Sequence, residues 1–165
     1  MSAPDMDGLV RIGKETMNQV AREGDDYLPK LLVGYAAGHN MLFGLAIDMD
    51  DLPTVLPEIM EDKIDWVALT VDSYYAALVT GDEDIEFPLS KAFEAGDTRV
   101  SEALSINVVT ADSADFTMVP YRRIGPQQRV LSWRDPIKQD TIGLSGRVFD
   151  ALRFAVTMSG GGDEA

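Results

Sequence analysis

The chain is 165 residues long, with 45% hydrophobic and 25% charged residues, a formal net charge of −14, one histidine and no cysteine. This length and these proportions are typical of a single globular domain. The single histidine and the absence of cysteine exclude most zinc sites, which need several His or Cys ligands. The negative charge argues against direct binding to nucleic acid, because binding to phosphates requires clustered Lys and Arg residues. No apolar run approaches the roughly 20 residues that cross a bilayer, so we expect no membrane contact.

The start of the chain predicts a helix followed by a hairpin. In "SAPDMDGLVRIGKETMNQVAREG" the apolar residues recur at helical spacing, with Ser2 as the N-cap, Pro4 in the first turn and Gly24 after the end. The runs "LPKLLVGYA" and "MLFGLAID" flank the small polar segment "AGHN". This pattern is typical of a β-hairpin in which Gly38 supplies a positive φ.

A second helix, a long strand and a third helix are predicted next. "LPTVLPEIMEDK" indicates a helix whose two prolines lie in or near its first turn. "DWVALTVDSYY" is rich in β-branched and aromatic residues, so it predicts a strand. The acidic segment "TGDEDIEFP" is interpreted as a solvated loop, and "LSKAFEAG" as a short helix that ends at Gly96 with Phe93 facing inward.

The last third predicts a meander and a final helix. The strand-like runs "ALSINVVTA", "DFTMVPYRR" and "RVLSWR" are joined by turn-rich clusters. Pro120 inside the second run indicates a bulge or an edge strand, because proline cannot donate a ladder hydrogen bond. "SGRVFDALRFAVTM" predicts a helix, and "SGGGDEA" a loose tail.

The predicted order is α-β-β-α-β-α-β-β-β-α. Its most economical arrangement is an α+β domain at residues 1–158, with a mainly antiparallel sheet of about six strands and helices packed on it, and a flexible tail at 159–165. The order resembles GAF, PAS and profilin domains in topology only, which carries no function. The acidic N-terminus lacks the positive charge of a signal peptide, so we expect a cytoplasmic protein.

The only histidine precedes a group of aspartates, which raises the question of a metal or catalytic site. His39 is expected at the hairpin tip, whereas Asp48 is about nine residues along the returning strand, or roughly 30 Å away. Asp50 and Asp51 stand where carboxylates cap the next helix. We therefore expect neither a metal nor another cofactor here.

Catalytic motifs are missing from the chain. There is no G-x-S-x-G motif and no phosphate-binding glycine pattern, so no catalytic residue is assigned. Asp72 interrupts an apolar strand and is a candidate functional carboxylate if it is buried, although capping a turn or pairing with an arginine is the commoner role. The run from Asp82 to Glu86 is interpreted as solvated surface.

The meander concentrates arginine, tyrosine and tryptophan in an otherwise acidic chain. These residue types are enriched in binding hot spots, so we predict a partner-binding surface here. Strand alternation separates Arg122 from its two neighbours, so the set cannot face one way. The alternative is that they pair with acids of residues 1–115, which hold most of the negative charge, and that Trp133 lies in the core. The candidate residues are Tyr121, Arg122, Arg123, Arg129, Trp133 and Arg134.

Three segments, "DWVALTVDSYY", "FEAGDTRVSEAL" and "VPYRR", resemble recurring elements of small uncharacterised acidic proteins from actinobacteria and their phages. The resemblance covers roughly residues 64–134 and implies no enzymatic activity. It implies an accessory protein, of bacterial or phage origin, that acts by binding.

Three functions remain open at this point. The first is a non-enzymatic regulatory domain that binds a protein partner or a second copy of itself. The second is an acidic DNA mimic that occupies the site of a DNA-binding protein. The third is a small-molecule sensor or a carboxylate-based enzyme with a pocket lined by Tyr74, Tyr75, Tyr121 and Arg122.

Overall fold

The computed structural model describes residues 4–44, 52–76, 85–86, 88–140 and 146–160. The predicted α+β class is confirmed. In chain order the elements are α1 (Met6–Glu23), β1 (Lys30–Tyr35), β2 (Asn40–Gly44), α2 (Leu52–Ile59), β3 (Ile64–Ala76), α3 (Leu89–Glu94), β4 (Val100–Thr110), β5 (Ala114–Ile124), a 3₁₀ turn (Pro126–Gln128), β6 (Val130–Trp133), β7 (Ile137–Asp140) and α4 (Gly146–Met158).

The strands form one antiparallel sheet that curls into a half-barrel. Six of them follow the spatial order β2-β1-β3-β4-β5-β6, and β7 pairs with β5 beside β6. The sequence did not predict β7, because its four residues, "IKQD", are mostly polar and show no apolar alternation. Sequential neighbours pair throughout the β3-β4-β5-β6 part, which confirms the predicted meander.

Helices cover both faces of the sheet. Side chains alternate along each strand, so in the central part of β3 the even-numbered Trp66 and Ala68 face α1, and the odd-numbered Val67 and Leu69 face α2 and α4. We call these two sides the α1 face and the α4 face. Because each face has its own buried cluster, the sheet is the central layer of the domain.

Helix α1 follows the predicted pattern with a later start. It begins at Met6 with Asp5 at the N-cap position, so Pro4 precedes the helix rather than lying in its first turn, and Ser2 is outside the described residues. Gly24 ends the helix, as predicted, in the left-handed conformation with φ 75°. The buried positions Val10, Gly13, Met17 and Ala21 recur at helical spacing and pack α1 onto the sheet.

The hairpin is confirmed, with His39 in its turn. The Tyr35 N–H donates to the His39 carbonyl at 3.0 Å, and Gly38 adopts a φ of 101°. The His39 ring stacks on Tyr35, with 4.7 Å between ring centroids. Asp48, which was expected along the returning strand, and Asp50 and Asp51, which were expected to cap the next helix, are outside the described residues, and so are residues 82–84 of the acidic run.

Glycine is required where the first strand meets the third. Gly34 pairs with Trp66 across β1 and β3, and a Cβ atom at Gly34 would lie 2.1 Å from Trp66 Cε2. The indole ring therefore occupies the space that any other residue would fill. This close approach lets Trp66 lie buried on the α1 face.

Two helix details differ from the sequence prediction. Pro57 lies inside α2 rather than near its first turn, so this short helix lacks one intrahelical hydrogen bond. Phe93 was expected to face inward, but it is 37% exposed, and its ring contacts Tyr74 with 5.3 Å between centroids. Ala92 alone is fully buried in α3, because a helix of this length turns only a narrow face inward.

Pro120 neither forms a bulge nor lies on an edge strand. It pairs with Ala103 in a regular β4–β5 register and is buried. Its carbonyl accepts a hydrogen bond from Arg134 N at 2.9 Å. The backbone N and O atoms of one residue in an antiparallel strand point to the same side, and the Pro120 carbonyl points away from β4, toward the gap between β6 and β7. The proline nitrogen, which has no hydrogen to donate, therefore faces this gap, and the hydrogen bonds between β4 and β5 are complete.

The chain after α4 remains packed for two residues. Ser159 is buried, and its Oγ accepts a hydrogen bond from Ile64 N at 2.7 Å. The Gly160 N–H donates to the Met60 carbonyl at 2.9 Å. The packed domain therefore extends to Gly160, beyond the boundary at 158 that the sequence suggested, and 161–165 are outside the described residues.

Candidate binding site on the meander

The six candidate residues of the meander lie on both faces of the sheet. Tyr121 pairs with Trp133, and Arg123 pairs with Leu131, on the α1 face. Arg122 pairs with Ser132 and therefore points to the α4 face. The register thus confirms the separation that strand alternation predicted, and the two subsets have different environments.

Tyr121 and Trp133 are anchored on the α1 face. Tyr121 is 1% exposed, and its ring lies against Trp133 with 5.0 Å between centroids. Trp133 Nε1 donates to Asn18 Oδ1 at 3.0 Å, which ties the end of β6 to α1. Lys14 Nζ lies 5.7 Å from the centroid of the Trp133 ring. These contacts give both aromatic residues a role in holding α1 on the sheet.

Arg123 is bound within the protein. Its Nε donates to Glu102 Oε2 at 2.9 Å, and its guanidinium carbon lies 5.7 Å from the centroid of the Tyr121 ring. This is the intramolecular pairing with acids of residues 1–115 that the sequence left open. Arg129 is exposed, and its Nη1 reaches the Arg22 carbonyl at 3.5 Å.

Asp72 belongs to the same network. It lies within β3 rather than at a strand end, and its Oδ1 accepts a hydrogen bond from Tyr121 Oη at 2.7 Å. Burial raises the pKa of Asp72 to about 6, the hydrogen bond from Tyr121 opposes this change, and the nearby Glu102 adds to it. Burial and the Asp72 charge also raise the pKa of Tyr121, which keeps its hydroxyl protonated as the donor.

Two arginines remain exposed on the α4 face. Arg122 and Arg134 have no carboxylate oxygen within 4 Å among the described residues. Arg134 continues the β6 ladder by one residue through its bond to Pro120, so both side chains are on the same side of the sheet. In a chain of net charge −14, these two arginines differ from Arg123, which is paired with a carboxylate of the same chain.

An exposed apolar pair lies beside these arginines. Ile124 and Val130 pair across β5 and β6, and they are 48% and 49% exposed. Both share the α4 face with Arg122, because Ile124 is two residues further along the same strand. Sequence reasoning missed this pair, although its alternation with Arg122 across the predicted turn was a readable signal.

A cleft of about 950 Å³ lies at this end of the sheet, between the α3–β4 turn and the meander. Two of its carboxylates, Asp97 and Glu102, are already paired with arginines of the chain. Of the pocket that the sequence predicted, Tyr75, Tyr121 and Arg122 line the cleft, and Tyr74 is not among its lining residues. The cleft is also lined by Pro120, Gln128, Arg134, Asp135 and Ile137.

A smaller cavity of about 370 Å³ lies at the end of α1, beside the 3₁₀ turn. Gln127 and Gln128 in this turn have positive φ angles of 59° and 56°, which are uncommon for residues with a side chain. Asp72 lines neither this cavity nor the larger cleft. The Asp72 carboxyl, which is partly buried, is therefore not part of either space.

Within the described part of the chain, no three His, Asp or Glu side chains are grouped so that they could hold a metal ion. None of the helices within the same ranges has both the length and the apolar character that crossing a membrane requires.

Comparison of the chain with protein-family models, with curated proteins and with solved structures returns no match. The chemistry of the site therefore has to be inferred from its own residues.

Proposed function

We propose that this chain is a non-enzymatic accessory domain that binds a protein partner through Arg122, Ile124, Val130 and Arg134. We call these four residues the meander patch. The observation that carries the proposal is that two arginines without an internal carboxylate partner share one face with two half-exposed apolar side chains. Arginine beside apolar side chains is a common composition of the energetic centre of an interface.

The charge of the chain strengthens the argument. An exposed arginine without a carboxylate partner contributes little to the stability of the fold, whereas Arg123 and Arg99 each hold a carboxylate of the same chain. The meander patch instead offers planar donors that suit the carboxylates of a partner. Charges more than about 8 Å away are screened at physiological ionic strength, so the local arginines outweigh the distant acids of the domain.

The two alternatives have less support. A small-molecule site would use the cleft, but the cleft lies open beside the patch and also fits a protein segment. A DNA mimic needs an unbroken row of acidic side chains, whereas the exposed arginines Arg11 and Arg22 lie among the exposed acidic residues of α1. No observation on the described residues favours either alternative over a protein partner.

The test compares two double variants with the same change in charge. Arg122→Glu with Arg134→Glu reverses the patch, and Arg11→Glu with Arg22→Glu makes the same change on exposed positions of α1. Each tagged protein is used to capture partners from a lysate of the source organism, and bound proteins are quantified by mass spectrometry.

A partner held by the wild type and by the α1 variant should be reduced at least about tenfold with the patch variant, which corresponds to about 1.4 kcal/mol. Unfolding curves of all three proteins should coincide within about 0.5 kcal/mol, because the four positions are exposed. Equal capture by the two variants would refute the proposal.

A further inference from the structure

Strand β6 ends the sheet on the side of the meander patch. It pairs with β5 on one side, and in the described part of the chain no strand pairs with its other side. An edge of this kind presents unpaired backbone groups that an extended chain can match. The outer edge of β6 is therefore a surface to which an extended partner segment could bind.

The register shows which backbone groups point outward. The Arg134 N–H bonds to the Pro120 carbonyl, and bonded and non-bonded pairs alternate along an antiparallel ladder. Ser132 is therefore bonded to β5, whereas Leu131 and Trp133 direct their N–H and C=O groups away from it. Among the described residues, none forms a hydrogen bond with the backbone groups of Leu131 and Trp133 on the side away from β5.

The side chains around this edge specify the charge of an added strand. Neighbouring strands lie about 4.8 Å apart, so a strand beside β6 would have its α4-face side chains next to Ser132 and within reach of Arg122 and Arg134. Carboxylates at alternate positions would meet both guanidinium groups. The opposite edge strand, β2, reads "NMLFG" and carries no base, so charge distinguishes the two edges.

We propose that the partner binds as an extended acidic segment that adds to the free edge of β6, with its alternate carboxylates on Arg122 and Arg134. This inference rests on the proposed function and states the chemistry of the partner at the same patch. Backbone hydrogen bonds to Leu131 and Trp133 would supply affinity, and the arginines would select acidic side chains.

The experiment uses synthetic peptides on the full chain. The probe is a fluorescent peptide of sequence TEVEVET, which places every Glu on one face of a strand. Its controls are TKVKVKT and two N-methylated forms of the acidic peptide, one methylated on the Glu residues and one on the Val residues. In an added strand only one of these alternate sets points its N–H groups at β6.

Binding is measured by fluorescence anisotropy up to about 1 mM protein. We expect the acidic peptide to bind and the basic peptide not to bind. One N-methylated form should bind at least about tenfold more weakly than the other, and Arg122→Glu with Arg134→Glu should abolish binding.

Equal binding of the two N-methylated forms would overturn strand addition while leaving the meander patch as a partner site. No binding of the acidic peptide, or equal binding of the basic one, would overturn the inference as well. The proposed function fails separately, if the patch variant captures its partner as the wild type does.

Discussion

Asp72→Asn should stabilise the protein at neutral pH. The Asp72 carboxyl has its pKa raised from 3.8 to about 6, chiefly by burial. Between these two values the unfolded chain has lost the proton and the folded chain still holds it. A carboxyl with a raised folded-state pKa therefore costs stability as pH increases, and the cost is complete above the folded pKa.

The size of the effect follows from the two pKa values. They correspond to a cost of about 2 kcal/mol at pH 5 and about 3 kcal/mol at pH 7.5. The Asn side chain can still accept the hydrogen bond from Tyr121 Oη through its own oxygen, so the variant removes the charge and keeps the contact. The gain in stability should therefore grow by about 1 kcal/mol between these two pH values.

Urea unfolding at pH 5, 6 and 7.5, followed through the fluorescence of Trp66 and Trp133, measures this difference. These conditions stay above the isoelectric point of about 4.3. Asp150→Asn removes the same charge at an exposed position of α4 and serves as the control. A gain for Asp72→Asn that does not change with pH, or a loss of stability at pH 7.5, would refute the reasoning.

Two further predictions concern the charges around Asp72 and the close approach of Gly34 to Trp66. Arg123→Gln should raise the pKa of Asp72 further and Glu102→Gln should lower it, because the Arg123 charge lowers this pKa and the Glu102 charge raises it. An NMR titration of the Asp72 carboxyl carbon measures both pKa changes, and changes in the same direction would contradict this account. Gly34→Ala should destabilise the domain by at least about 2 kcal/mol, because the new Cβ would meet the Trp66 ring; an unchanged thermal midpoint would show that β1 and β3 can separate without loss.

Much of the fold could be predicted from the sequence because local pattern and final environment agree. The apolar spacing of α1, the glycine of the hairpin turn and the β-branched run of β3 each have the structure that their residues prefer. The failures fall where tertiary contacts decide. Strand β7 exists because β5 offers it an edge, and Pro120 is tolerated inside the sheet because its missing donor faces the interval between β6 and β7.

The residues of the candidate site could be predicted from the sequence, but their distribution between the two faces of the sheet could be predicted only in part. Strand alternation separates Arg122 from Arg123 without showing which face a helix covers. Only the packing of α1 over Tyr121 and Trp133 reveals that the α1-face residues stabilise the fold. Glu102, the partner of Arg123, is twenty-one positions away along the chain, so no local pattern connects them.

Pro120 divides β5 into two parts with separate fastenings. Residues 115–118 are held by β7, residues 121–124 are held by β6, and the Arg134 bond to the Pro120 carbonyl is the backbone bond at the boundary. A local opening that begins at the β5–β6 hairpin would reach a position where the backbone has no donor to release. An opening of the β5–β6 hairpin that stops at Pro120 would therefore break only the β6 pairing of residues 121–124 and leave the β7 pairing of residues 115–118 in place.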